Sequence, residues 1–172
     1  MIRLLLKIIL IFILGFSMHK IFIIPAILLS LFLTGCASVP LASSEENATA
    51  KSFPVPEKGK AGIYIYRDSF VGKALKKDIY LDGHCVGETA DRVFFYQQVS
   101  SDKSYIVGTE SEFSPNNITL SVASGKNYFV RQYIKLGVFV GGAGLEQVSE
   151  TEGKRVISKP EVKLATSGQC NT

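Results

Sequence analysis

The sequence predicts a mainly β protein: a small antiparallel β-sandwich, immunoglobulin-like or prealbumin-like, with one short C-terminal helix. Three observations carry this reading. From Ala61 to Ile134 apolar residues alternate with period two and are rich in β-branched and aromatic types, the pattern of half-buried strands. Clusters of turn-forming residues separate these runs at roughly 10-residue spacing, the rhythm of a sandwich or small barrel. After Ser149 the pattern changes to that of a helix start.

The chain opens differently. Ile2 to Phe16 is apolar except for Arg3, Lys7 and Gly15; Ser17-Met18-His19-Lys20 then leads into a second apolar run, Ile21 to Leu33. An export signal needs a short basic segment, an apolar core of roughly 7–15 residues and a small-residue cleavage site. Met18-His19-Lys20, Ile21 to Leu33 and Leu33-Thr34-Gly35-Cys36 supply all three. The last tetrad resembles the bacterial lipobox. That resemblance implies a diacylglyceryl group on the Cys36 thiol, cleavage between Gly35 and Cys36, and acylation (palmitate) of the new amino terminus. Residues 1–35 are therefore expected as a signal peptide, with translation starting at Met18. The competing reading is an uncleaved anchor, because Leu4 to Leu33 is long enough to cross a bilayer. Lys20 splits that stretch, Pro25 falls inside its second half, and an anchor has no need of a lipobox.

Removing 35 of the 172 residues leaves 137 and changes the charge balance. Arg3, Lys7 and Lys20 go and no acid goes, so 16 of the 19 basic residues face 15 acidic ones. A near-neutral chain without clustered Lys and Arg offers no electrostatic footprint for nucleic acid. Residues 36–60 are polar and poor in large apolar groups, as in Ser43-Ser44-Glu45-Glu46-Asn47 and Pro54-Val55-Pro56-Glu57-Lys58-Gly59-Lys60. Such composition buries too little to offset ordering entropy, so the lipidated cysteine is expected to lead into a flexible tether. One domain, residues 61–168, and a tail, 169–172, follow.

Within the domain, Ile63 and Ile65 alternate with Tyr64 and Tyr66, and Ile79 and Leu81 with Tyr80 and Asp82. Val93-Phe94-Phe95-Tyr96, Tyr105-Ile106-Val107, the set Ile118, Leu120 and Val122, and Tyr128 to Ile134 continue the series. Asp82-Gly83 marks a tight hairpin, since glycine supplies positive φ without steric cost. Ser124-Gly125-Lys126-Asn127 predicts a second turn of that kind and Ser114-Pro115-Asn116-Asn117 a third. Gly137 to Gly144, with four glycines, predicts a loop. Ser149 and Glu152 have capping-box spacing, so a helix is expected from about Glu150 to Ser158, stopped before Pro160. Glu161 to Ala165 predicts a last edge strand.

Several motifs in order carry a resemblance: Ala61-Gly62-Ile63-Tyr64-Ile65-Tyr66-Arg67, Lys77-Asp78-Ile79-Tyr80-Leu81-Asp82-Gly83, Val86-Gly87-Glu88-Thr89, Gly125-Lys126-Asn127-Tyr128-Phe129-Val130 and Lys135-Leu136-Gly137-Val138. The chain resembles a family of bacterial envelope lipoproteins classed only as a domain of unknown function. More distantly, it is similar to the PEGA-type surface β-module. The resemblance covers about Gly62 to Ala165 and implies a small β-sandwich on a lipid anchor, with no catalytic residue and no ligand. Related sequences often place a Pro-Gly turn where this chain has Ser100-Ser101-Asp102-Lys103.

Each candidate for chemistry meets a plainer explanation. His84 is the only histidine beyond the leader; it sits beside Cys85, but neighbours on a strand point to opposite faces, and one histidine leaves a zinc site short of ligands. Cys85 and Cys170 are the thiols left once Cys36 carries lipid. In an oxidising envelope they are candidates for a disulfide, which would stabilise the fold by roughly 4 kcal/mol in the loop-entropy account. A buried Cys85 with a loose Cys170 is the alternative, and sequence does not supply the Cα separation that decides. The glycine-rich stretch lacks the Lys-Ser/Thr of a phosphate loop, and Glu146 stands where an anion would bind. Asp78, Asp82, Glu88, Asp91 and Glu110 offer carboxylates for glycoside hydrolysis, whose mechanism depends on a separation that sequence does not give. Tyr64, Tyr66, Phe94, Tyr96, Phe129 and Tyr133 read first as core and cross-strand packing, with an exposed contact patch as the alternative.

The expectation is a non-enzymatic envelope lipoprotein without cofactor or metal, held to the membrane by its N-terminal lipid. Its expected partner is an envelope protein or peptidoglycan. Ala37 rather than Asp after the lipidated cysteine implies the outer membrane, inner leaflet, with the domain facing the periplasm. The alternative is a small envelope hydrolase acting on peptidoglycan or glycans.

Overall fold

A computed structural model describes residues 37–111, 116–137, 141–168 and 170; Gly35, Cys36 and the whole leader lie outside the described residues. Among the described residues nine strands form two sheets, with two short helices. The five-stranded sheet has the order β8 (Gly142–Val148), β7 (Asn127–Lys135), β1 (Lys60–Arg67), β4 (Val93–Ser100), β9 (Lys163–Leu164). The four-stranded sheet runs β3 (His84–Thr89), β2 (Lys77–Leu81), β5 (Lys103–Thr109), β6 (Asn116–Val122). The expected mainly β sandwich is thus what the chain forms, and the first sheet is mixed: β1 pairs parallel to β7 and β4 parallel to β9.

Alternation along β1 sorts residues between two cores rather than between core and water. Ala61, Ile63 and Ile65 face the other sheet and pack with Ile79, Phe95, Val107, Leu120 and Val130. Tyr64 and Tyr66 point the other way into a second cluster with Phe94, Phe129, Val156 and Ile157. Registry sets Tyr64 between Tyr96 on β4 and Phe129 on β7, with ring centroids 4.5 and 5.0 Å away. Each fully buried ring of this kind contributes about 1.5–3 kcal/mol. The expected core role of these aromatics therefore holds over the exposed-patch alternative for Tyr64, Tyr66, Phe94 and Phe129, which are all buried.

The cover over that second core comes from two helices. Helix α1, Ser44–Lys51, begins at Ser43, whose Oγ accepts from Glu46 N at 3.2 Å while Glu46 Oε2 accepts from Ser43 N at 2.9 Å. Helix α2, Glu150–Ile157, is capped by Ser149 and turns Val156 and Ile157 inward, close to its expected span. The flexible tether over 36–60 is a correction, because residues 37–60 are folded onto the domain. Ala42 N donates to Leu164 O and Thr166 N to Pro40 O, Tyr64 OH donates to Ala50 O at 3.0 Å, and Phe53 tilts against Tyr64 and Phe129. A segment with few apolar residues is held here by hydrogen bonds to strand ends and by one aromatic ring. Ser43-Ser44-Glu45-Glu46 carries the same spacing that identified α2.

Turn chemistry came out unevenly. Asp82 (φ 49°) and Gly83 (φ 78°) form the expected tight β2–β3 hairpin. Residues 101–102 and 123–126 instead carry the chain from one sheet to the other, since β4 and β5, and likewise β6 and β7, belong to different sheets. Of the third turn, Asn116 and Asn117 already belong to β6, and residues 114–115 lie outside the described residues. The glycine-rich loop is shorter than expected: β8 begins at Gly142 and pairs along β7 through Val148, and residues 138–140 are outside the described residues. The final edge strand is confined to Lys163–Leu164.

Candidate functional site

Two concave surfaces lie on or beside the smaller sheet. At one end, Asp82, His84, Cys85, Gln97, Lys103 and Tyr105 are among the residues lining an open depression of about 490 Å³. Cys85, on β3, faces Cys170 with Sγ–Sγ 2.04 Å and Cα–Cα 6.0 Å across 85 residues of chain, within the span that a disulfide requires. The C-terminal segment is laid along β3 by Gly168 N donating to Val86 O at 2.8 Å, and Gln97 Nε2 donates to Ser167 Oγ at 2.8 Å. His84 is exposed at the first position of β3. Its neighbour Asp82 accepts from Ile106 N at 2.8 Å, which fixes the hairpin, and Tyr105 OH donates to Ser100 O at 2.9 Å. Residues 169, 171 and 172 of the tail lie outside the described residues.

The second surface, about 520 Å³, is lined by Tyr80, Asp82, Ile106, Thr109, Glu110 and Asn117, among others. Of the five carboxylates singled out in the sequence, Asp78 stands opposite Glu88 across β2–β3 and also meets Glu110, while Asp82 and Glu110 line this second surface together. Asp78 N donates to Glu110 Oε1 at 3.4 Å, and Tyr80 OH donates to Asp78 Oδ2 at 3.0 Å. Glu110 also pairs with Lys77 at 3.4 Å. Glu88 is held by Lys76 at 3.1 Å, while Asp91 accepts from Ser69 N at 3.0 Å. Among the described residues no group of three or more His, Cys, Asp and Glu is placed to hold a metal ion.

Polar groups of the interior were missed by the sequence reading. Gln132 Nε2 donates to Thr109 Oγ1 at 2.8 Å, Thr109 Oγ1 donates to Asp78 O at 2.7 Å, and Thr89 Oγ1 bonds both Lys77 O and Gln132. Arg67 is completely buried. Its Nη1 donates to Leu75 O at 2.8 Å and its Nη2 to Gly72 O. Burial lowers its pKa, and the charge of Asp91 opposes that shift. Period two was a usable signal: Arg67 falls on the face of Ile63 and Ile65, and Gln132 on that of Val130. A polar residue at an inward position announces a buried hydrogen-bond network.

The side chains of Asp82, Glu88, Asp91 and Tyr105 are each engaged in a local hydrogen bond or ion pair. The family model described as "Protein of unknown function (DUF2846)" matches residues 57–143. An uncharacterised protein of Haemophilus influenzae is 55% identical over 146 residues, which cover 84% of this chain and 86% of that protein. The match reaches from the residues before β1 to the start of β8 and so takes in strands β1 to β7 of both sheets, including the motifs quoted above from Ala61 to Val138. The chain belongs to the DUF2846 family.

Proposed function

We propose that this protein is a bacterial envelope lipoprotein, anchored through acylated Cys36 and presenting a non-catalytic β-sandwich to an envelope protein or to cell-wall glycan. The observation that carries this reading is the tetrad Leu33-Thr34-Gly35-Cys36 behind an apolar run, one residue before the folded domain begins at Ala37. The paired cysteines add support, because a bridge between Cys85 and Cys170 persists in an oxidising compartment such as the periplasm. The outer membrane's inner leaflet is the placement that Ala37 favours. Local engagement of Asp82, Glu88 and Asp91 favours binding over hydrolysis.

The test is lipid labelling of the full chain in a host with two membranes. Wild-type protein should incorporate labelled palmitate and yield an N-terminal peptide beginning at modified Cys36; Cys36→Ser should take up no label. An unmodified peptide spanning Gly35-Cys36 in the wild-type protein would overturn the reading. Crosslinking in intact cells then identifies the periplasmic partner.

A further inference from the structure

The described domain shows six exposed large hydrophobic residues, and three of them, Phe70 (84% exposed), Val71 (48%) and Leu136 (92%), belong to one end of the sandwich. Topology puts them there. Strands β1 and β7 run parallel with Tyr66 opposite Arg131, so the loop after Arg67 and the residue after Lys135 emerge at the same end. The loop lies directly on β7: a Cβ added at Gly72 would meet Ile134 at 2.9 Å.

This loop is fastened while displaying apolar side chains. Arg67 holds the carbonyls of Gly72 and Leu75 from beneath, Asp91 holds Ser69 N at 3.0 Å, Lys159 pairs with Asp68, and Ser69 Oγ donates to Val71 O at 3.0 Å. A rigid loop that keeps Phe70 in water points to an absent partner surface. The chain itself indicates which one. Ala37 N donates to Lys73 O at 3.3 Å, and Cys36 is one peptide away, about 3.8 Å between Cα atoms. A lipid on Cys36 would be joined to the domain through Ala37, whose N–H is fastened to this same loop at Lys73 O. Lys73 lies over the Phe70 ring at 4.4 Å and Lys135 precedes Leu136, so apolar tips carry cationic side chains able to reach lipid phosphates.

We propose that Phe70 and Val71, with Leu136, insert into the headgroup–acyl boundary of the membrane that holds the Cys36 lipid, so that the domain lies on the bilayer instead of hanging from a tether. This rests on the lipoprotein reading, and the two are separable in one preparation. The chain contains no tryptophan, so Phe70→Trp introduces a single reporter. Val55→Trp is the control, an exposed site before the start of β1 and so at the opposite end of that strand.

Full-length protein purified from host membranes is placed in phosphatidylethanolamine–phosphatidylglycerol vesicles containing dibrominated phosphatidylcholine, and the N-terminal peptide is weighed from the same sample. Phe70→Trp should emit to the blue and lose emission as brominated lipid is increased, while Val55→Trp does neither; Leu136→Trp gives an independent second reading of the tip. Acylated Cys36 with unquenched Phe70→Trp overturns the docking and leaves the anchor standing. A blue shift without quenching means that a protein surface covers the loop and also overturns it, as does equal quenching of Val55→Trp. Unmodified Cys36 overturns the lipoprotein reading, whatever the fluorescence shows.

Discussion

Tyr64 and Tyr66 stand two residues apart on one face of β1, both buried, yet only the first hydroxyl has a partner. Tyr66→Phe removes a buried hydroxyl that makes no bond, so it should leave stability unchanged or raise it by about 1 kcal/mol. Tyr64→Phe, which takes one donor from Ala50 O and leaves it the Phe53 N–H, should lower stability by up to a similar amount; urea midpoints compare the two. The same residues set an alkaline limit. Burial, the largest cause, pushes the Tyr66 phenol up to about 12 and pushes Tyr64 up as well, against about 10 in an unfolded chain. Between these values the unfolded chain ionises while the folded one keeps its proton, so the folded state binds more protons and stability falls as pH rises. The contribution is whole below about pH 10 and is lost as pH climbs through about 12. Stability measured across that window should decline less steeply for Tyr66→Phe than for wild type.

Gly153 poses the opposite case at the same scale. A glycine inside α2 looks like a defect of helix propensity, and alanine would ordinarily gain about 1 kcal/mol. Here a Cβ would stand 2.3 Å from the Phe129 ring, so glycine is what lets the helix settle onto the sheet. Gly153→Ala should destabilise the protein by about 1–3 kcal/mol through overpacking, seen as a lower urea midpoint with an unchanged slope.

At the scale of elements, α1 and α2 share one capping logic, and only α2 stood out in the sequence. Its Val156-Ile157 pair gives an apolar face, whereas α1 buries only Ala50. The polar segment around α1 is ordered by contacts with distant residues: Leu164 N donates to Asn47 Oδ1, Asn127 Nδ2 to Pro54 O, and Lys51 Nζ to Lys159 O. None of these contacts has a local signature. Ser43→Ala removes the Ser43 Oγ half of the capping box and should cost about 1 kcal/mol. Hydrogen exchange at amides 44–51 should then quicken, whereas a true tether would exchange fast in both proteins.

For the whole molecule, the two cysteines close a loop of 85 residues that spans both sheets. Linking them should stabilise the domain by roughly 4 kcal/mol in the loop-entropy account. Urea titrations with and without reductant should differ by up to that amount, and the double variant Cys85→Ser, Cys170→Ser should match the reduced protein under both conditions. A reductant effect that persists in the double variant would place the stabilisation elsewhere.

Local pattern was enough to establish the mainly β class, the Asp82-Gly83 hairpin, the start of α2 and the lipobox-like tetrad, because each depends on residues within a few positions of one another. The sorting of strands into two sheets, the parallel β1–β7 and β4–β9 pairs, and the placement of 101–102 and 123–126 between sheets were decided only in three dimensions. Alternation reports that a residue has two faces to choose from; it carries no record of which strand lies alongside or in which direction. The second core shows this most clearly, since Ile63 and Tyr64 are equally buried and differ only in what covers them. The cover over Tyr64 is folded from a polar stretch whose order comes from hydrogen bonds to residues more than 100 positions away, such as Leu164 N to Asn47 Oδ1 and Thr166 N to Pro40 O, a distance over which sequence periodicity has nothing to say.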